Sequence, residues 1–277
     1  MIYNLKIIKC GDRVEIYKYS NFIVKEQGEK EKFYKFIERT PIEKQLELNL
    51  NPEDNKDIYR ENNLNKSRNK IIRLIKCNLD MNVFITFTFA EEKDYKESKI
   101  YLKKCLAKLR RDYKGFKFLW VLEYGDLNNR LHYHMLCNYP IQIKLRRSNK
   151  RKTKAHKHLE NEFCSKYWNY GFVDIRALEQ EGNSNIALYV SSYIVKSLGS
   201  KDLEGYRVFG YSNKTLNKPK EIKLLDYRSI EDILKDYQGY KCTYNNSYDI
   251  GYTRYGKENK GTVTYFDFME VKENEMY

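Results

Sequence analysis

The stretch "LEYGDLNNRLHYHMLCN", residues 122–138, decides how this chain is read. "LEYG" and "RLHYHMLCN" alternate polar with apolar residues, and "GDLNNR" between them carries the Gly, Asp and Asn that turns favour. The spacing predicts a β-hairpin. Within a strand, residues i and i+2 share a face, so His132 and His134 project side by side while Tyr133 points the other way. If the turn holds an even number of residues and closes symmetrically, Glu123 stands directly opposite His132, with Cβ atoms about 5 Å apart. An odd turn would slip the register and carry Glu123 to the other face.

Two neutral imidazoles and a carboxylate can hold a divalent ion and leave positions open for water or a phosphate oxygen. The same residues also suit a hydrogen-bonded His pair on a sheet face, because H-x-H is a short pattern. A second pair, His156 and His158 in "KAHKH", shows how readily it arises. The lysines there repel a cation, and the context reads as a loop or helix start.

The flanking segments alternate strand and helix. "NVFITFTFAEE" (82–92) is a continuous run of β-branched and aromatic residues, the pattern of a central strand buried on both faces. "ESKIYLKKCLAKLRRDY" (97–113) reads as a helix with Leu102, Leu106, Leu109 and Tyr113 on one face. "LNKSRNKIIRLIKCN" (64–78) is a basic amphipathic helix. Downstream, a helix marked by Leu159, Phe163 and Tyr167 precedes a strand, "GFVDIRAL" (171–178), and a further helix, "NSNIALYVSSYIVKS" (183–197). "MIYNLKIIKCGDRVEIYKYS" forms two strands about Gly11-Asp12, and a hairpin is expected at "YGKENKGTVTYFDF" (255–268). Residues 20–62 are polar and irregular, with "LNPEDNKD" as a connector. The expected fold is α+β, a central antiparallel sheet flanked by helices. Its expected divisions are an N-terminal hairpin and connector (1–62), a main domain (63–220) and a Tyr-rich accessory segment (221–277).

Charge narrows the partner. Lys and Arg number 52 against 38 Asp and Glu, a formal charge of +14. Such a field attracts a polyanion, most commonly nucleic acid. No apolar run approaches the ~18 residues of a membrane span, and Lys6 and Lys9 interrupt the N-terminus too early for a signal peptide. The six cysteines show no close pairing and no zinc-type spacing, so they read as reduced thiols of a cytoplasmic protein.

A metal with open positions in a basic protein suggests a phosphodiester, whose cleavage needs a nucleophile. In "LYVSSYIVKS", Tyr189 and Tyr193 are neighbours on one helical face, and Lys196 joins them a turn later. Ile186, Val190 and Ile194 form the stripe that seats this helix on the sheet. A phenol with its ordinary pKa of about 10 attacks well only with a polarised phosphate and a nearby cation, which Lys196 supplies. With 26 tyrosines in the chain, a Tyr pair also suits core packing.

Together these segments resemble the HUH endonucleases, specifically the rolling-circle replication initiator (Rep) proteins of small plasmids and single-stranded DNA phages. "VFITFTFAE" is similar to the family's first motif, "HYH" to its His-hydrophobic-His motif with the usual upstream carboxylate, and "YVSSYIVK" to its tyrosine motif. "YWNYGFVDIRAL" and "FGYSNKTLNKP" resemble connecting segments, and the similarity spans about residues 68–220 in the family's order. The resemblance implies that 63–220 is an HUH-type nicking domain binding Mg²⁺ or Mn²⁺ through His132, His134 and Glu123. It implies tyrosine attack on single-stranded or hairpin origin DNA, a 5′-phosphotyrosyl intermediate and a free 3′-OH that primes rolling-circle replication by a host polymerase. Ser192 stands where two-tyrosine members carry a lysine after the first tyrosine, so Tyr193 is the expected nucleophile. Tyr189 is either a second nucleophile or a packing residue.

Other departures refine this picture. Relaxases add a third histidine that "HYHMLCNYP" lacks, and no GxxxxGK[ST] loop is present, so unwinding falls to a host helicase. Lys144, Arg146, Arg147, Lys150, Arg151, Lys152 and Lys154 are expected to grip phosphates near the nick, or else to form a solvated loop. Two alternatives remain beside the nickase: a non-enzymatic DNA-binding replication or copy-control factor, and an HUH transposase or relaxase.

Overall fold

The computed structural model describes residues 1–24, 33–35, 65–125, 130–145, 151–178, 190, 192, 193, 196, 203, 205–254 and 257–271. They form two compact units, one of residues 1–65 with 218–277 and one of residues 66–217.

The first unit is built on a six-stranded antiparallel sheet in the order β3-β10-β11-β2-β1-β9. Its strands are β1 (Ile2–Cys10), β2 (Arg13–Val24), β3 (Phe33–Lys35), β9 (Lys220–Leu224), β10 (Tyr240–Arg254) and β11 (Lys257–Glu270). The β1–β2 turn is the expected one at Gly11-Asp12, with Gly11 at φ +60°, a conformation glycine adopts without Cβ strain. One sheet face buries Leu5, Val14, Ile16 and Phe268 against Ile233 of a short helix, Ile230–Lys235.

Two expectations are corrected here. The N-terminal hairpin and the C-terminal segment are not separate regions: β2 pairs with β11, and β1 with β9. A lone hairpin is marginal in water, and joining the two ends of the chain gives each a hydrophobic face to bury. The C-terminal hairpin also lies earlier than expected. Arg254 pairs with Lys257 and Tyr240 with Glu270, so residues 257–268 belong to one strand and do not fold back on themselves.

The second unit holds a five-stranded antiparallel sheet in the order β7-β4-β6-β5-β8. Its strands are β4 (Val83–Phe89), β5 (Phe118–Tyr124), β6 (Leu131–Cys137), β7 (Gly171–Ala177) and β8 (Phe209–Tyr211). Helix α1 covers 65–76, α2 Tyr95–Asp112 and α3 Lys154–Tyr167. Asp94 caps α2 by accepting the Glu97 N–H, and Thr153 caps α3 through the His156 N–H, each worth about 1 kcal/mol.

The two faces of this sheet differ. On the first, Val83, Ile85, Phe87 and Phe89 of β4 pack with Leu102, Cys105, Leu106 and Leu109 of α2 and with Phe163 and Tyr167 of α3. On the second, Phe84, Leu119, Val121 and Leu136 pack under Ile71, Leu74 and Ile75 of α1 and under Val190. Toward the far end of this second face, β4 changes from phenylalanine to Thr86 and Thr88, both half-buried. Polar residues begin there because the apolar roof ends.

Candidate active site

The β5–β6 register places Glu123 opposite His132 and Tyr124 opposite Leu131. The Gly125 N–H donates to the Arg130 carbonyl at 2.9 Å, so residues 125–130 close the hairpin with an even count. On β4, Thr88 stands opposite His132 and Thr86 opposite His134. On β7, Phe172 stands opposite Thr88 and Asp174 opposite Thr86. Because opposed residues share a face, one row reads Glu123, His132, Thr88, Phe172 and the next Val121, His134, Thr86, Asp174. Tyr133 points the other way, fully buried, with its hydroxyl 3.0 Å from the Ser98 hydroxyl; burial holds that phenol well above its ordinary pKa.

Side-chain rotamers then select partners that the register alone does not. Glu123 Oε1 accepts a hydrogen bond from His134 Nε2 at 2.9 Å, diagonally across the ladder. Since a carboxylate only accepts, the neutral His134 ring carries its proton on Nε2, and Nδ1 accepts from the Thr86 hydroxyl at 3.0 Å. His132 turns the other way and donates its Nδ1–H to the Arg130 carbonyl at 2.8 Å, which leaves Nε2 as the ring's lone-pair nitrogen. A Cβ on Gly125 would lie 2.7 Å from His132 Cε1, so glycine at that position leaves the imidazole its space.

Tyr193 and Lys196 reach the same group from the helical segment that includes Val190. The Tyr193 ring lies 4.4 Å from the His134 ring and 5.5 Å from Phe84, between centroids, and Phe84 itself stacks on His134. Lys196 Nζ is 3.8 Å from Glu123 Oε2. That oxygen is buried and accepts no hydrogen bond. A buried carboxylate oxygen without a donor is costly unless a cation stands near it.

Among the described residues, no three His, Cys, Asp or Glu side chains converge closely enough to hold a metal ion. The donor types still fit one. Two imidazoles and a carboxylate share a face, one carboxylate oxygen is unbonded, and His132 Nε2 is bare. The site is closed on itself through the Glu123–His134 bond.

Other predicted residues fall out unevenly. Tyr189, Arg146, Arg147 and Lys150 lie outside the described residues, as do Ile186 and Ile194. Lys144, Arg151 and Lys154 are exposed. Lys152 is half-buried and engaged, holding both Glu160 oxygens at 2.7 and 2.9 Å and pairing with Asp174. His156 is fully buried in α3, its Nε2 donating to the Ile175 carbonyl at 2.9 Å, while Glu160 accepts the Ile175 N–H at 2.9 Å. One turn of helix thus satisfies the outer backbone groups of edge strand β7, and this explains "KAHKH" without a metal. His158 is exposed, near Glu162. Every described cysteine is a free thiol, and burial pushes Cys105 and Cys137 up to about 12, far from nucleophilic.

Sequence reasoning missed Thr86, the Arg130 carbonyl and Phe172, whose ring is 69% exposed on the site's own face. A period-two count along β4 and β7 from the His pair would have found both side chains.

Residues 82–198 match the family model of the ORF2-type replication-associated protein. The match runs from the start of β4 past Lys196 and contains Glu123, His132, His134 and Tyr193. It supports a replication-associated protein with a role in replication initiation. No curated protein and no solved structure gives a significant match to the chain. No helix among the described residues is long and apolar enough to cross a membrane.

Proposed function

We propose that the chain is an HUH-type initiator that nicks single-stranded origin DNA through Tyr193. The observation that carries this is one contact chain: Tyr193 packs on His134, His134 bonds Glu123, and Glu123 faces Lys196. A nucleophile, two imidazoles, a carboxylate and a cation are brought to one edge by a strand pair and a helix.

Held by His132, His134 and Glu123, Mg²⁺ or Mn²⁺ would polarise the scissile phosphate. Tyr193 Oη attacks phosphorus, so an O–P bond forms and the bond from phosphorus to the 3′ oxygen breaks. The phenol proton is lost to solvent or a nearby base, and the departing oxygen is protonated to a 3′-OH. Energy is conserved in the 5′-phosphotyrosyl bond, which a later transfer uses to rejoin the strand. Lys196 draws the phosphate when it leaves Glu123 for the substrate, and Thr86 holds the His134 ring in its plane. Tyr189 serves as a second nucleophile or packs the helix. Lys144, Arg146, Arg147, Lys150, Arg151 and Lys154 grip the flanking phosphates, with Lys152 a weaker contributor because it is already paired. A host helicase and polymerase complete the cycle in the cytoplasm.

The test is incubation with single-stranded origin DNA and Mn²⁺, followed by a denaturing gel. A slower-migrating protein–DNA species is expected from the wild type and not from His132→Ala. Salt-sensitive binding without that species under any divalent ion would leave a DNA-binding replication factor instead.

A further inference from the structure

We infer that the six-stranded sheet of the first unit carries a separate binding site for single-stranded DNA, outside the segment that matches the replication family. One row crosses five adjacent strands in register: Asn246, Tyr265, Tyr17, Lys6 and Lys223. At about 4.8 Å per strand it is about 19 Å long. Tyr244 extends it, with its ring 6.0 Å from Tyr265, which lies 4.8 Å from Tyr17. Lys6 Nζ sits 4.2 Å above the Tyr17 ring, and Lys223 Nζ 4.9 Å from the Tyr3 ring. Phenol rings thus give way to ammonium groups along a single line.

Three features point to a polyanion with flat bases. First, Tyr244 and Tyr248 are 54% and 42% exposed on the same face, and residues 241–249 of β10 are exposed throughout. Second, Lys6 and Lys223 stand directly opposite each other, a like-charge pairing that destabilises a sheet on its own. Third, the acids of the neighbouring row are engaged within the sheet: Asp267 lies 3.7 Å from Arg13, Glu15 accepts the Tyr17 hydroxyl at 2.9 Å, and Glu221 lies 3.2 Å from Lys223. Aromatic faces beside cations are how proteins hold single strands without reading sequence, since every base has a π-face. An unstacked single strand meets these rings; a duplex hides its bases from them.

The inference is independent of the nicking chemistry. Its test is fluorescence anisotropy of the full chain with a labelled polythymidine oligonucleotide of about 16 nucleotides. The Tyr244→Ala/Tyr248→Ala double variant should bind at least about fivefold more weakly, and Tyr244→Phe/Tyr248→Phe should keep wild-type affinity. Photo-crosslinking with a bromodeoxyuridine oligonucleotide should label β10. Wild-type affinity in the alanine variant at unchanged melting temperature would overturn the inference. So would equal loss of affinity for duplex DNA, or a dimer that these alanines split. If the wild type binds through these rings yet forms no covalent species, the nicking proposal fails and this site stands.

Discussion

Glu123 and His134 meet at 2.9 Å across β5 and β6, although the ladder sets Glu123 opposite His132. The two histidines of one H-x-H therefore differ in environment. His134 is buried between Thr86, Glu123, Phe84 and Tyr193, whereas His132 is half-buried and tethered only by the Arg130 carbonyl.

Thr86 orients His134 from behind. To bind a metal through Nε2, the ring must move its proton to Nδ1, where the Thr86 hydroxyl can accept it. Thr86→Val removes that acceptor, and Mn²⁺ affinity measured by calorimetry should fall about 10- to 100-fold, with Thr86→Ser restoring it. Unchanged affinity in the valine variant would remove Thr86 from the site.

Glu160 closes the edge of β7. Glu160→Ala strips the Ile175 N–H of its acceptor and Lys152 of its carboxylate. Denaturant unfolding should show a loss of about 1–3 kcal/mol, and Glu160→Gln, which keeps an acceptor, should lose less. Equal stability of wild type and alanine variant would contradict the edge-closing role.

Asp174 gives the β7 edge a pH dependence. Burial pushes its carboxyl up, but hydrogen bonds from Arg176 and Lys152 outweigh this and hold it below the ordinary carboxylate value. A depressed folded-state pKa stabilises above the unfolded value and is lost as pH falls through the folded one. The stability gap between wild type and Asp174→Asn should hold from pH 7 down to about pH 4 and shrink below it. A gap that grows on acidification would reverse the sign and refute the ion cluster.

Much of the second unit was legible because its signals are local. The β-branched run at 83–89, the leucine stripe of α2 and the turn at 125–130 each bury a face their own spacing announces. The site's common face followed from period two and an even turn. What could not be read depends on distant partners. Nothing near residues 1–24 or 240–270 announces that these segments pair with each other. The choice of His134 by Glu123 is a rotamer choice within a register that was correctly expected. The buried role of His156 needs the β7 edge beside it, which no H-x-H pattern contains. Lys152 looked like one cation in a basic run until Glu160 and Asp174 folded around it.

Phe172 offers a ring to the substrate. It is exposed on an edge strand, in the row that ends at Glu123. Phe172→Ala should raise the KM for an origin oligonucleotide while leaving kcat and stability near wild type, because a stacked base is lost and no core is disturbed. A fall in kcat alone would assign the ring another role.

The most direct measurement is intact-mass and peptide-mapping spectrometry of the full chain after reaction with single-stranded origin DNA and Mn²⁺. The expected result is a covalent increment of the 5′-phosphorylated product strand on the peptide containing Tyr193, absent in Tyr193→Phe. A covalent strand that persists when both Tyr189 and Tyr193 are phenylalanine would contradict the tyrosine mechanism.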